Sequence, residues 1–379
     1  MRITGIEPIV VHVTERGDWV FVHVHTDAGI TGLGEASHSL NDALLLSALK
    51  VFEERLVGES PLAINVLWRR LAGIHGGRIT ATALSAIEQA LWDILGQYLG
   101  VPIHTLFGGA VRDKIRLYAN INRHVRDRSP EGFARAARQA VDEGFTAVKL
   151  APFDELRAPD HVRTGTRAAW QPGVERVRAV RAAIGDEIDL AVDCHGRMET
   201  SEAIRVGEAL GECTLMWYEE PVRHTRPDQL AAVARAVPMP TASAESVFAM
   251  EGFRAFLLER VVDVLMPDVK HCGGMMELKS IGEAARLNQL LIAPHNPSGP
   301  VATVATAQVA ATLSNFLILE YAWGEAEWRS ALIEPPEAIV DGYLAVPDTP
   351  GLGCRLNMDA VNAHRREAPS TADSSKVRP

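Results

Sequence analysis

The chain has 379 residues, of which 47% are hydrophobic and 23% are charged, and its formal net charge is −10. This composition supplies ample material for a large core, and at roughly 100–200 residues per domain the length predicts two domains. The acidic balance, without a long basic run, argues against nucleic acid or an anionic membrane surface as the main partner.

Cysteine usage and the N-terminus bear on the compartment. The four cysteines are far apart and show no metal-type spacing, which favours a reduced cytoplasmic protein. The N-terminus lacks the charged leader and sustained apolar core of a signal peptide, and no apolar run reaches the ~18 residues of a membrane helix. We therefore expect no membrane association.

Residues 1–115 predict a small α+β domain. Alternating apolar residues from Ile3 to Thr31 predict an antiparallel hairpin, with the DAG and GLG tripeptides interpreted as turns. From Asn41 to about Leu99 the apolar residues recur at helical spacing, and Gly100 is expected to end the last helix.

Residues 116–330 alternate between short apolar runs and amphipathic helical segments. This alternation is typical of parallel βα units, and eight runs suit a barrel. The runs are RLYANIN, FTAVKLA, IDLAVDC, LMWYEEP, PTASAES, VVDVLMP, QLLIAPH and FLILEYA.

Polar residues stand at the ends of these runs, at intervals of about 25 residues from the third run onward. In barrels of this kind the functional residues lie at the C-terminal ends of the strands. We therefore expect one rim to carry Lys149, Asp193, Glu219, Glu245, Asp268, His295 and Glu320.

Three acids on successive strand ends, Asp193, Glu219 and Glu245, form an all-oxygen ligand set. Mg²⁺ binds through a few carboxylates and keeps positions for water or substrate oxygens. Acidic residues are mostly exposed, so each one alone is also compatible with a solvated rim carboxylate. Three at matching positions favour a Mg²⁺ site.

Two histidines are candidates for proton transfer. Asp268 and His295 end neighbouring strands, so Asp268 could orient His295 as a general base, although His295 could also cap a loop. His195 lies two residues after Asp193, on the same face if the strand continues, and should project towards the metal rim.

The remaining rim residues leave more than one interpretation open. Glu320 could hydrogen-bond a substrate oxygen or an enolate, and it could equally be structural. Lys149 could act in the chemistry or form a salt bridge with Glu219 or Asp193.

These residues together resemble the enolase superfamily, specifically its mandelate racemase subgroup. The resemblance rests on the motifs AVKL, VDCHGR, YEEP, SAES, MPDVKHCGG and APHNPSGP, in that order. It implies an α/β fold in which an α+β capping domain covers a (β/α)₇β modified TIM barrel. It also implies Asp193, Glu219 and Glu245 as Mg²⁺ ligands.

The resemblance also implies roles for the other rim residues. Asp268 and His295 would form the base dyad, and Glu320 would steady the enolate; a Lys or His base with Mg²⁺ is described for this superfamily. Racemases of the subgroup usually carry a second lysine where this chain has Ala151, which makes two-base racemisation less expected. Lys149 could still contact the substrate carboxylate.

The VDCHGR motif is similar to that of acid-sugar dehydratases of the galactonate dehydratase type. In that interpretation His295 removes the C2 proton of a sugar acid and His195 protonates the departing C3 hydroxyl, giving a 2-keto-3-deoxy acid. The alternatives are a racemase or epimerase, a cycloisomerase, a dehydratase of a hydroxyproline-like acid, or a non-catalytic ligand-binding member. The expected partners are a small carboxylate substrate and, by family habit, further copies of the chain.

Two expectations concern the ends and loops of the chain. Residues 331–363 are expected to return to the first domain, and residues 364–379 to form a disordered tail because they are polar. Substrate specificity is expected from residues 16–19, the His38 region, the AGIHGGR stretch and the loop 152–172.

Overall fold

The computed structural model describes residues 1–15, 17–37, 41–156 and 169–366. Arg16, the His38 region, residues 157–168 of the predicted specificity loop and residues 367–379 of the predicted tail lie outside the described residues.

The first domain pairs an antiparallel sheet with four helices. The sheet has the order β1-β2-β3 and consists of β1 (Ile3–Thr14), β2 (Gly17–Thr26) and β3 (Thr31–Glu35). The helices are α1 (Asp42–Leu56), α2 (Ile64–Ala72), α3 (Gly77–Leu99) and α4 (Ile103–Leu106). Gly100 ends α3 in the left-handed conformation that glycine adopts without a Cβ penalty, as predicted.

The expectation of a turn at GLG is wrong, because both glycines lie inside β3. A Cβ at Gly32 would collide with the carbonyl oxygen of Ala90, and one at Gly34 with that of Ala86. The glycines are therefore needed so that β3 can approach the backbone of α3, which is a role in close packing rather than in chain reversal.

Each of the eight predicted runs overlaps a barrel strand. The strands are β4 (Lys114–Asn120), β5 (Ala147–Leu150), β6 (Asp189–Asp193), β7 (Trp217–Glu219), β8 (Thr241–Ser243), β9 (Val264–Leu265), β10 (Leu291–Ile292) and β11 (Leu319–Tyr321). Neighbours pair in parallel from β4 to β10, and β11 pairs with β4. Ile292 forms a parallel bridge with Phe316, next to β11, so the strands close into a ring.

Helices connect the strands on the outside of the ring. They are α5 (Pro130–Asp142), α6 (Gln171–Ile184), α7 (Thr200–Ala209), α8 (Pro227–Ala236), α9 (Ala249–Gly252), α10 (Arg254–Glu259), α11 (Met275–Leu287) and α12 (Pro300–Ala310). The start of α5 shows why these helices begin where they do. The Ser129 hydroxyl accepts a hydrogen bond from Gly132 N–H, and Pro130 occupies the first turn.

Two buried acids of the first domain fix it over the barrel rim. Glu35 accepts hydrogen bonds from Gly299 and Ala302 N–H at the start of α12 (2.7 and 2.8 Å). Glu88 accepts hydrogen bonds from two backbone N–H groups at the start of α11 (2.7 and 3.0 Å). Carboxylates satisfy the free N–H groups of helix N-termini and complement the helix dipole. Because α11 and α12 follow β9 and β10, these contacts place the first domain next to the strand ends.

The C-terminal segment contacts both domains. It contains β12 (Ile333–Glu334), β13 (Ile339–Val340), β14 (Tyr343–Ala345), β15 (Arg355–Leu356) and α13 (Met358–His364). Leu352 N–H donates to Asp93 of the first domain (2.8 Å). In addition, β14 pairs antiparallel with the barrel strand β4, a contact that was not anticipated. Among the described helices, none is long and apolar enough to cross a bilayer.

Candidate active site

Three carboxylates meet where strands β6, β7 and β8 end. Asp193 and Glu219 are the last residues of β6 and β7 and lie in register, and Glu245 follows β8 by two residues. One oxygen from each of the three lies within 4.8 Å of the others. Parallel strands place their C-terminal ends on one rim, which is why three residues distant in sequence converge here.

Lys149 lies beneath this cluster and is fully buried. Its Nζ is 2.8 Å from Glu219 Oε1, 3.3 Å from Glu320 Oε1 and 3.9 Å from Asp193 Oδ2. Burial alone would lower the pKa of Lys149, but the charges of Glu219 and Glu320 outweigh it and hold that pKa well above its usual value. Lys149 therefore stays protonated and neutralises part of the cluster.

The cluster fits a divalent cation. Glu245 Oε2 is buried and accepts no hydrogen bond from the described residues, although His295 Nε2 lies 3.2 Å away. Burial raises the pKa of Glu219 to about 8, and the charges of Asp193 and Glu245 add to this effect while Lys149 opposes it. Packed carboxylate oxygens with an unsatisfied acceptor are the donor set that Mg²⁺ prefers.

His295 lies between three acids, Glu245 and Asp268 in the loops after β8 and β9 and Glu320 on β11. Its Nδ1 is 2.8 Å from Asp268 Oδ2, and its Nε2 faces Glu245 and Glu320 at 3.2 and 3.9 Å. Burial lowers the pKa of His295, but the charges of Glu245 and Glu320 and the bond to Asp268 outweigh burial and raise it to about 9. The contact with Asp268 orients the ring and leaves Nε2 as the atom that can exchange protons with a ligand.

His195 reaches the same rim by a route that the strand pattern did not predict. Strand β6 ends at Asp193, and His195 adopts the left-handed conformation with φ of 49°, so the two residues do not share a strand face. The turn nevertheless brings His195 Nε2 to 2.9 Å from Asp193 Oδ2 and Nδ1 to 2.6 Å from Asp154 Oδ1. The Asp193 charge raises the pKa of His195 well above its usual value against the opposing effect of burial, so the imidazolium form is favoured.

Glu320 is a charged acceptor in this arrangement. Oε1 accepts a hydrogen bond from Asn120 Nδ2 (2.5 Å), and Oε2 accepts one from Asn296 N–H (2.8 Å). Burial raises the pKa of Glu320, but Lys149 and His295 outweigh burial and lower it overall. Donation of a hydrogen bond to an enolate would require the protonated form, so the enolate-steadying role of Glu320 stays a prediction.

A cavity of about 240 Å³ opens over the rim between the two domains. His195, Lys270 and His295 line it from the barrel, and Trp19 and Arg78 line it from the first domain. Trp19 and Arg78 belong to two of the segments expected to set specificity. A small ligand in this cavity would contact both histidines and the first domain at once.

Lys270 also lines the cavity and is not among the site residues predicted from the sequence. Lys270 Nζ donates to Asp268 Oδ2 (2.8 Å), the same oxygen that His295 contacts. The two-residue spacing that relates His195 to Asp193 also relates Lys270 to Asp268, and it is the sequence signal from which Lys270 could be predicted. Arg78, in the AGIHGGR stretch expected to set specificity, donates a hydrogen bond to Ser246 Oγ across the domain boundary (2.9 Å).

Known proteins resemble the chain over nearly its whole length. A model described as "Mandelate racemase / muconate lactonizing enzyme, N-terminal domain" matches residues 3–108, and one described as "Enolase C-terminal domain-like" matches residues 132–360. The chain is 35% identical over 368 residues to a D-xylonate dehydratase of Haloferax volcanii (94% of this chain, 87% of that protein). It is 32% identical over 360 residues to a D-galactonate dehydratase of Verminephrobacter eiseniae (93% and 92%).

A solved structure agrees with these matches. The mandelate racemase/muconate lactonizing enzyme from Sulfitobacter sp. superposes with a TM-score of 0.87 at 31% sequence identity. The superposition covers 96% of this chain and 95% of that one, so both domains share their arrangement with it.

Proposed function

The chain belongs to the mandelate racemase/muconate lactonizing enzyme family of the enolase superfamily, and from that premise we propose that it is a Mg²⁺-dependent dehydratase of an aldonate-type sugar acid. In this reaction the C2 proton and the C3 hydroxyl leave as water, and the resulting enol tautomerises to a 2-keto-3-deoxy acid. The relatives named D-xylonate and D-galactonate dehydratase support this substrate class.

One observation carries the choice of dehydration over racemisation: His295 shares the cavity with His195, whose imidazolium form is favoured, and the second barrel strand offers only a protonated lysine. His195 and His295 both line the cavity. Lys149 is fully buried, paired with acids and held protonated, and Ala151 carries no titratable group. Racemisation through a second base opposite His295 would need a neutral amine there, whereas elimination needs one base and one acid.

Each residue of the site has a separate role in the proposed reaction. Asp193, Glu219 and Glu245 would hold Mg²⁺, which when bound supplies Lewis-acid stabilisation of negative charge on a substrate carboxylate. His295 takes the C2 proton at Nε2, while its Nδ1–H donates to Asp268 and fixes the tautomer. His195 donates a proton to the C3 hydroxyl, so that the C3–O bond breaks with loss of water and the C2 electrons form the C2–C3 double bond.

The experiment that tests this proposal is a screen of aldonic acids with the full-length protein and Mg²⁺ in D₂O, followed by NMR. We expect at least one acid, with D-xylonate and D-galactonate as the first to test, to lose its C2 proton and give a 2-keto-3-deoxy product. Exchange at C2 without water loss would instead indicate an epimerase or cycloisomerase. No exchange with any acid of the library would argue for a non-catalytic member and against the proposal.

A Lys270→Met substitution is expected to shift the rising part of the kcat/KM profile to higher pH. His295 must be neutral to act as a base, and its pKa is raised to about 9, so kcat/KM increases with pH through that pKa. The ammonium of Lys270 opposes the imidazolium because both contact Asp268 Oδ2. Removal of the Lys270 charge should raise the pKa of His295 further. At pH 7 a smaller fraction of His295 would then be neutral, and kcat/KM should fall by roughly tenfold.

The control for this prediction is Lys50→Met. Lys50 is exposed on α1 of the first domain, so its substitution removes the same charge without altering the surroundings of His295. A loss of kcat/KM in Lys270→Met that is equal at every pH would contradict the electrostatic role. It would indicate that Lys270 only supports the local structure.

A further inference from the structure

A second group of potential metal ligands lies on the sheet of the first domain. Glu7 on β1 is the register partner of His23 on β2, and His25 follows two residues later. Residues two apart in a strand point to the same face, so both imidazoles lie on the side that Glu7 occupies. None of the three lines the cavity of the candidate active site; His23 and His25 line a different cavity of about 720 Å³.

Two imidazole nitrogens converge on one carboxylate oxygen. His25 Nε2 lies 3.2 Å and His23 Nδ1 4.0 Å from Glu7 Oε2, and one ligand atom from each residue lies within 4.8 Å of the others. Ligands about 2.0–2.1 Å from a tetrahedral zinc ion are separated from one another by roughly 3.3 Å. Small side-chain rotations would therefore bring the three atoms to metal-binding distance.

The surroundings of His25 and Glu7 favour a ligand role. His25 Nδ1 lies 3.1 Å from Thr31 Oγ1, and an Nδ1–H that donates to this hydroxyl leaves a lone pair on Nε2 towards Glu7. Metal-binding histidines usually donate their other ring N–H to such a neighbour. Arg365 lies nearest Glu7 Oε1 (3.4 Å), so Oε2 is the oxygen directed at the histidines.

We propose that Glu7, His23 and His25 form a site for a transition-metal cation of the zinc type in the first domain, separate from the Mg²⁺ site. Imidazole nitrogens suit Zn²⁺, Ni²⁺ and Cu²⁺, whereas Mg²⁺ prefers oxygen ligands alone. The adjoining cavity leaves room for water as the remaining ligands. A bound ion would join β1 to β2 and so stabilise this domain.

The test measures binding of Zn²⁺ to the full-length protein by calorimetry in millimolar Mg²⁺, with the melting temperature as a second measurement. We expect one Zn²⁺ site that Mg²⁺ does not displace and whose occupation raises the melting temperature. Zn²⁺ affinity should fall at least tenfold in His23→Asn and in His25→Asn, and Thr31→Val, which keeps all three ligands, should weaken it by about 10-fold or more.

Two controls separate this site from others. His12→Asn removes a histidine of the same hairpin that lies outside the cluster, and Asp193→Asn removes a candidate Mg²⁺ ligand. Both should retain the Zn²⁺ site. Undiminished Zn²⁺ binding by a folded His23→Asn/His25→Asn double variant, or loss of the site in Asp193→Asn alone, would overturn the proposal.

Discussion

Replacement of His295 by asparagine is expected to lower the rates of both dehydration and exchange of the C2 proton by orders of magnitude. His295 Nε2 is the basic atom that faces the cavity next to Glu245 and Glu320, and Asp268 holds its ring in place. Loss of a general base typically lowers the rate by about 10²–10⁴-fold. Asparagine is similar in reach and keeps a polar group opposite Asp268, so the fold should persist, which circular dichroism would check.

The matched variant His195→Asn is expected to separate the two halves of the reaction. His195 donates the proton to the leaving hydroxyl, so water loss should fall by a similar factor of about 10²–10⁴. Removal of the C2 proton by His295 does not require that donor, so exchange in D₂O should continue. Equal loss of exchange and dehydration in both variants would contradict separate acid and base roles. It would indicate that one histidine only positions the other.

Substitution of Glu245 by glutamine is expected to remove Mg²⁺-dependent activity without destabilising the metal-free protein. Glu245 Oε2 is buried, accepts no hydrogen bond from the described residues and faces other acids. Burial raises the pKa of Glu245, which means that its ionised form carries a cost in the folded state that a neutral amide avoids. Loss of electrostatic stabilisation should lower kcat by on the order of 10³-fold.

Thermal unfolding with and without Mg²⁺ provides a readout of this variant that does not depend on turnover. A ligand that binds only the folded protein raises its melting temperature. We expect Mg²⁺ to raise the melting temperature of the unmodified protein and of Glu251→Gln, whose glutamate is exposed on α9, but not of Glu245→Gln. A marked loss of stability of Glu245→Gln in the absence of Mg²⁺ would indicate a structural role for this carboxylate.

The sequence predicts those structural features that leave a pattern within a short stretch of residues. Short buried strands of a parallel barrel appear as apolar runs, and all eight runs overlap a strand. The acids and His295 were placed on one rim because the strand ends of a parallel barrel share a face. The fold and the neighbourhood of Asp193, Glu219 and Glu245 follow from this geometry.

Features that depend on long-range packing leave no such pattern. Gly32 and Gly34 resembled turn residues, but they lie in a strand because α3 packs directly on them. Glu35 accepts hydrogen bonds at the start of a barrel helix more than 260 positions away, a contact that no local pattern marks. His195 was expected on a strand face, and a left-handed turn brings it to Asp193 instead.

The sequence by itself determined the class of fold, the rim and the residue types that meet there, because strand periodicity and one-sided active sites are properties of each βα unit. Only the tertiary structure decided how those residues differ in charge state. It pairs Lys149 with three acids and keeps it protonated, it leaves one oxygen of Glu245 without a donor, and it places Lys270 against Asp268. Burial and the distance between charges set these properties, and both arise only when distant segments pack together.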